Sequence, residues 1–308
     1  ADLPLLTGIP RSVPVVASVA EAMVYGPQVA VVGLAPSGGR LPPELRQSVM
    51  EALRAGLSIA SGLHSRLGDD PELEAQRQPH AWIWDLRCEP PGLSVAAARA
   101  AQLPCRRILA VGSDMSVGKM SAALELTTAA RRRGLDARFV GTGQAGILIA
   151  GSGVPLDAVR VDYAAGAVEQ AVLNVAEGAG AEALVFVEGQ GSLCHPGSTA
   201  TLPLIRGSQP SGLLLVHRHG QRTIRTHPQV ELPPLPQLIS ACEALAALGQ
   251  PAGMTPPKVN AIALNTFGLS DAEAEAAIQA TEQTTGIPCG DVVRSSGGAE
   301  RVLMALLT

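Results

Sequence analysis

RILAVGSDMSVGKMS, residues 107–121, decides the fold. An apolar run from Arg107 to Val111 leads into Gly112-Ser-Asp-Met-Ser-Val-Gly118-Lys119, and a helical pattern then runs from Lys119 to Arg133, where Gly134 stops it. Strand, glycine-bounded loop and helix in that order are the context in which a loop binds phosphate. Glycines let backbone N–H groups converge on phosphate oxygens, the helix start adds partial positive charge, and Lys119 adds a full one. Gly112, Ser113, Asp114, Met115, Ser116, Val117, Gly118, Lys119, Met120 and Ser121 are therefore the candidate cofactor contacts.

The loop departs from the common pattern twice. It has one residue more between its glycines, and Met120 follows the lysine where Ser or Thr usually holds Mg²⁺. Ser121 comes next but is turned by roughly 100° around the helix. A loop that grips phosphate yet holds Mg²⁺ poorly suits a cofactor whose phosphates are a handle, such as coenzyme A, unless Asp114 or Glu188 supplies the missing ligand.

Downstream, apolar runs at residues 137–140, 183–187, 213–216 and 259–264 read as further strands, with a helix at 271–281 and a last short strand near Val292. In a parallel sheet, polar groups just past the strand ends share one edge with the phosphate loop. Glu188, at the end of Leu184-Val-Phe-Val187, is a candidate base or metal-water ligand. Thr142 and Gln144, Asp162 after the strand-like run 158–161, and His195 are candidate substrate contacts. His217 and His219 are further candidates for the base. They also form an i, i+2 pair suited to a metal, but no third ligand is evident and no metal site is expected. Arg218, with Arg222 and Arg225 nearby, suits a substrate carboxylate.

Upstream, residues 1–97 read as a smaller unit. Ser18 and Glu21 form a capping box, Val29–Val32 reads as a buried parallel strand, and Pro43 opens a helix with Leu45, Val49 and Leu53 on one face. Strands follow at 57–60 and 81–86. The loop Gly33–Gly39 lacks the dinucleotide-binding register, and Arg40, His64, Asp69 and Asp70 read as ordinary polar loop residues. Pro90-Pro91-Gly92 breaks the chain, and the boundary is expected between residues 97 and 98. The expected class is thus α/β: a Rossmann-like domain at 1–97, then a P-loop NTPase-like parallel-sheet domain at 98–308, with the ligand in the cleft between them.

Composition excludes several classes. The 308 residues are 46% hydrophobic and 16% charged, enough for a large core and incompatible with disorder. Lys plus Arg is 23 against 27 for Asp plus Glu, without basic blocks, so no nucleic-acid partner is expected. The apolar runs are far shorter than the roughly 20 residues that span a bilayer, so no membrane partner is expected either. ADLPLLTGIP, the opening segment, has no charged region and no long apolar one, which points to a cytoplasmic location, and the missing initiator Met points to trimming. Five scattered cysteines suit reduced thiols.

The spacing of the phosphate loop and the Glu-Gly-x-Gly segment at 188–191 resemble dethiobiotin synthetase and its relatives. Nearly the whole chain resembles a two-domain family with a Rossmann-like domain followed by a phosphate-loop domain. The segments that carry this are GLAPSGGRLPPE (33–44), AGLSIASGLHSRLGDDPEL (55–73), GSDMSVGKMSAALEL (112–126), GTGQAGILIAG (141–151), EGQGSLCHPG (188–197) and ALNTFGLS (263–270). Family members with an assigned activity are D-glutamate N-acetyltransferases. The resemblance therefore implies transfer of an acetyl group from acetyl-CoA to the amino group of D-glutamate or a similar acidic amino acid. Related phosphate-loop enzymes are commonly dimers, which implies a homo-oligomer. Ala145 stands where the family pattern has Thr, removing one polar contact.

Acyl transfer to an amine needs a base, donors for the tetrahedral oxyanion and groups that fix the acceptor. Gly112–Lys119 are expected on the cofactor phosphates, Glu188 or one histidine of the pair as base, and Arg218 on the carboxylates. The alternatives are an ATP-dependent ligase or kinase, with Lys119 and Mg²⁺ at the γ-phosphate, and a non-catalytic nucleotide- or CoA-binding regulator.

Overall fold

Strands and helices alternate along the chain in the computed structural model, which describes residues 13–34 and 39–308. The opening ADLPLLTGIP and the middle of the Gly33–Gly39 loop lie outside the described residues. Contacts separate a smaller unit ending at Cys88 from a larger one beginning at Glu89.

The smaller unit comprises α1 (Val19–Met23), β1 (Val29–Val32), α2 (Pro43–Arg54), β2 (Ser58–Ser61), α3 (Pro71–Glu74) and β3 (Ile83–Asp85). Its strands form a parallel sheet in the order β1-β2-β3, with Val29 opposite Ser58 and Ile59 opposite Ile83. Leu53, Ile59, Leu63 and Leu73 fill its core. Ser18 caps α1 by accepting the Glu21 N–H, but the expected capping box closes one residue early, because the Glu21 carboxylate accepts the Ala17 N–H instead of that of Ser18. Another expectation fails: among the described residues β1 is an edge strand, and Val29 and Val31 are exposed rather than buried. Asp70 has an ordinary structural job, capping α3 and accepting both arms of the Arg46 guanidinium at 2.6 and 3.0 Å.

The larger unit contains β4 (Arg106–Gly112), α4 (Lys119–Arg132), β5 (Ala137–Val140), α5 (Gln144–Ala150), α6 (Val161–Val175), β6 (Leu184–Val187), α7 (Thr201–Ser208), β7 (Gly212–Arg218), the hairpin strands β8 (Thr223–Ile224) and β9 (His227–Glu231), α8 (Leu235–Ala247), β10 (Val259–Asn265), α9 (Asp271–Thr285), β11 (Cys289–Gly290) and α10 (Ser296–Leu307). Six of the strands make one sheet, in the order β11-β10-β7-β4-β6-β5, parallel throughout. Parallel strands buried on both faces read as continuous apolar runs, which is why these strands are legible in the sequence. Their alternate residues serve two cores. Leu109, Val111, Leu213 and Leu215 face α6, α7 and α8, whereas Ile108, Ala110, Leu214 and Val216 face α4 and α10.

Because β4 sits mid-sheet between β6 and β7, the chain leaves it toward one side and returns on the other, and ligands bind at such a switch point. Three expectations are corrected here. Residues 89–97 belong with the larger unit, because the buried carboxylate of Glu169 accepts the N–H groups of Ala97 and Arg99 and the Arg99 Nε–H at 2.8 Å. The run 158–161 is not a strand but a 3₁₀ turn at Leu156–Ala158 leading into α6. The final strand is Cys289–Gly290, and Val292 lies in the turn after it. Among the described residues no helix is long and apolar enough to cross a membrane.

Candidate functional site

The phosphate loop begins where β4 ends. Ser116 at φ 55° and Gly118 at φ 112° take left-handed backbone conformations, so the chain turns back on itself and α4 starts at Lys119. Among the described residues, no backbone acceptor meets the N–H groups of Ser116, Val117, Gly118 and Lys119. Four free amides at a helix start are the donor set that a diphosphate requires. Lys119 is buried, and its ammonium donates to the Asp114 carbonyl at 2.8 Å. Burial lowers its pKa to about 8 against the attraction of Asp114 and Glu188.

Side chains brace this loop on three sides. Asp114 accepts the Met115 N–H at 2.6 Å, the Gln221 amide at 2.6 Å and the Arg225 N–H at 2.9 Å, which fastens the residues on either side of β8 to the loop. Burial alone would raise its pKa, but the Arg225, Met115 and Gln221 donors outweigh burial and lower it. The Ser113 carbonyl accepts the Ser192 hydroxyl at 2.8 Å, and the Ser113 hydroxyl meets His217 Nδ1 at 2.9 Å. Burial, reinforced by the neighbouring His219, drops the His217 pKa to about 4, so this imidazole is neutral at pH 7. Asn265 donates to the Val117 carbonyl at 3.0 Å.

Glu188 stands at the end of β6, against the start of α5. Its Oε2 accepts the Thr142 N–H at 2.7 Å and the Gly143 N–H at 3.0 Å, while the Thr142 hydroxyl donates to the Glu188 carbonyl at 2.9 Å. Gly146 is what allows the approach, since a Cβ there would lie 2.1 Å from the same oxygen. Burial raises the Glu188 pKa even though the two amides and Lys119 pull it down. Among the described residues no protein donor meets Oε1.

Two cavities flank the loop, and Gly118 and Ser121 line both. The first, about 670 Å³, holds Lys119 and Glu188 and is bordered by the starts of α4, α6 and α7 through Met120, Val161 and Ala200. The second, about 560 Å³, lies over the ends of β7 and β10 and is lined by Val117, Arg218, Asn265 and Phe267.

The sequence-derived candidates therefore divide. Met115, Ser116, Gly118, Lys119, Met120, Ser121 and Glu188 share the first cavity, whereas Val117 and Arg218 line the second. Thr142 is buried beneath Glu188, and Gln144 opens α5. Neither His217 nor His219 lines either of these two cavities; His217 is buried against Ser113, and His219 is exposed beyond β7. Asp162 is exposed in the first turn of α6 and joins neither group, because the segment expected to be a strand is helical. Buried His195 accepts the Gly197 N–H at Nδ1 and therefore donates from Nε2 to Thr226 at 3.0 Å; Thr226 contacts His227 in turn. Asn265, Phe267 and Gln221 were not among the sequence candidates. The segment ALNTFGLS at 263–270 marked the first two, but as family likeness rather than chemistry.

The P-loop domain described as the C-terminal part of a domain of unknown function, DUF1611, matches residues 94–303, and the Rossmann-like N-terminal domain of DUF1611 matches residues 1–89. This chain belongs to the DUF1611 family. A DUF1611 protein from Anabaena variabilis, known from a crystal structure, is 50% identical and aligns with a TM-score of 0.93 over 99% of this chain and 87% of its own. A relative from Tritonibacter scottomollicae called D-glutamate N-acetyltransferase is 35% identical over 288 residues, 93% of this chain and 83% of the relative. A Pseudoalteromonas protein of the same name is 34% identical over 279 residues, 90% of this chain and 81% of its own. The two DUF1611 domains fall on the two units that the contacts separate, and the phosphate loop lies wholly within the P-loop match.

Proposed function

We propose that this DUF1611 protein is an N-acetyltransferase that moves the acetyl group of acetyl-CoA to the amino group of D-glutamate or a similar acidic amino acid. The observation that carries the reading is a loop whose amides meet no acceptor among the described residues, standing between two cavities, one of which holds Lys119 and the buried Glu188 together. The names of the two relatives supply the acceptor. Ser116–Lys119 amides and the Lys119 ammonium hold the coenzyme A diphosphate as a handle, so the position of Met120 needs no metal-holding hydroxyl. The thioester then extends into the cavity that contains Glu188.

Glu188 is the proposed base. Its Oε2 is tied down by Thr142 and Gly143, which fixes the carboxylate and leaves Oε1 to accept a proton from the acceptor ammonium. The freed nitrogen lone pair attacks the thioester carbonyl carbon, and the C–N bond forms as the C–S bond breaks. Coenzyme A leaves as a thiolate and takes up a proton, while the nitrogen loses its second one to give the neutral amide. The helix starts that border the cavity supply partial positive charge for the acceptor carboxylates, a part the sequence reading gave to Arg218.

The test is release of free thiol from acetyl-CoA when D-glutamate, L-glutamate or D-aspartate is added, with the N-acetyl product identified by mass spectrometry. Thiol release strictly dependent on an acidic amino acid supports the proposal. Hydrolysis of ATP with no thiol release, or binding without turnover, would sink it.

A further inference from the structure

On the reading that the phosphate loop carries coenzyme A, we infer that the second cavity is the seat of its adenosine end, with the Phe267 ring stacking on the adenine and Arg218 pairing with the 3′-phosphate. The cavity opens from the same turn as the diphosphate donors, since Gly118 lines it beside Val117. A nucleotide whose diphosphate rests on that turn has its two ends directed to the two sides of the loop. The side without Glu188 is apolar, walled by Val117, Val216, Ala263 and Val292, which suits a flat heteroaromatic ring.

Phe267 is 87% exposed at the rim of this cavity, in a chain that has only three Phe residues. Its loop is firmly built. The Phe267 N–H donates to Asn265 Oδ1 at 3.0 Å, the Thr266 N–H to Asp291 at 2.9 Å, and the Arg294 guanidinium to the carbonyls of Thr266 and Leu269. A rigid loop that presents an aromatic ring to solvent beside a phosphate cradle is a stacking platform. The charges of the cavity are equally telling. Asp291 and Arg294 are consumed in holding the loop. Among the described residues, the half-buried Arg218 guanidinium has no acceptor, so it is the cation left to meet a terminal phosphate.

Isothermal titration of the full chain with coenzyme A, dephospho-coenzyme A and 4′-phosphopantetheine tests this. Phe267→Ala is expected to weaken coenzyme A and dephospho-coenzyme A about tenfold or more and to leave 4′-phosphopantetheine unchanged. Arg218→Gln is expected to weaken coenzyme A about tenfold while dephospho-coenzyme A binds as to wild type. Among the described residues neither side chain has a hydrogen-bond or ion-pair partner, so melting temperatures should match wild type. If both variants bind coenzyme A like wild type, the placement is wrong and the acetyl-CoA reading stands. If the variants instead raise only the KM for D-glutamate, the cavity belongs to the acceptor and the placement is likewise overturned. If wild type binds no coenzyme A, the placement and the reading it rests on fall together.

Discussion

Binding of coenzyme A should be coupled to the protonation of Lys119. Burial holds this ammonium at a pKa of about 8, within easy reach of experiment, and a diphosphate against it restores the charged form. A group at about 8 is roughly nine-tenths charged at pH 7 and about one-tenth charged at pH 9. A ligand that demands the ammonium therefore loses affinity about tenfold over that interval, some ~1.4 kcal/mol. The phosphates themselves titrate near pH 6 or below, so they contribute little in this window. Calorimetry at pH 8.5 in buffers of different ionisation enthalpy should register uptake of about three-quarters of a proton per site. Lys119→Met should abolish both the pH slope and the proton uptake. An affinity that stays level from pH 7 to 9, or proton uptake that survives in Lys119→Met, would refute the assignment of the loop as the phosphate cradle.

Glu188→Ala strips the acceptor from the buried Thr142 and Gly143 amides and should cost roughly 2–5 kcal/mol in urea unfolding, because each unpaired donor carries its desolvation penalty; an unchanged midpoint would mean that α5 starts without this carboxylate. Glu169→Ala should destabilise the larger unit by roughly 2–4 kcal/mol and free the segment around Ala97 to limited proteolysis, whereas wild-type resistance would separate that segment from α6. His217 has a folded pKa of about 4 against an ordinary 6.5, so the unfolded chain takes up its proton first and stability falls as pH drops from about 6.5 to 4. The full span is worth roughly 3 kcal/mol, and His217→Gln should flatten the urea-midpoint profile in that window; an equally steep profile in the variant would assign the slope to other groups.

The parallel sheet and the phosphate loop were legible because both depend on local sequence. Apolar runs such as Leu213–Val216 have one reading when both faces are buried, and Gly118 followed by Lys119 at a strand-to-helix turn has few structural uses. Helices α6 and α8 were missed for the opposite reason. Their Ala-, Val- and Leu-rich segments carry few charged residues, and α6 is buried on much of its circumference as well, which blurs the polar face that marks a helix. The domain boundary was misjudged because Glu169 reaches back more than 70 residues in sequence to Ala97, a contact with no local trace. Lys119 and Glu188 were expected to meet, and they line one cavity. Arg218 was grouped with them because strand ends share an edge, but an edge has two sides when a loop stands in its middle. The bracing of that loop by Asp114 through Gln221 and Arg225 arises from tertiary contacts that spacing does not encode.

The claim on which the function rests is that the amides of Ser116 to Lys119 are free to hold an anion. Amide hydrogen exchange of the peptide spanning residues 112–121, followed by mass spectrometry with and without saturating acetyl-CoA, measures this directly. Exchange is expected to be fast in the protein alone and strongly slowed on binding, centred on those four amides and weakened in Lys119→Met. Saturation by acetyl-CoA with no slowing in this peptide, and protection elsewhere in the chain, would contradict it.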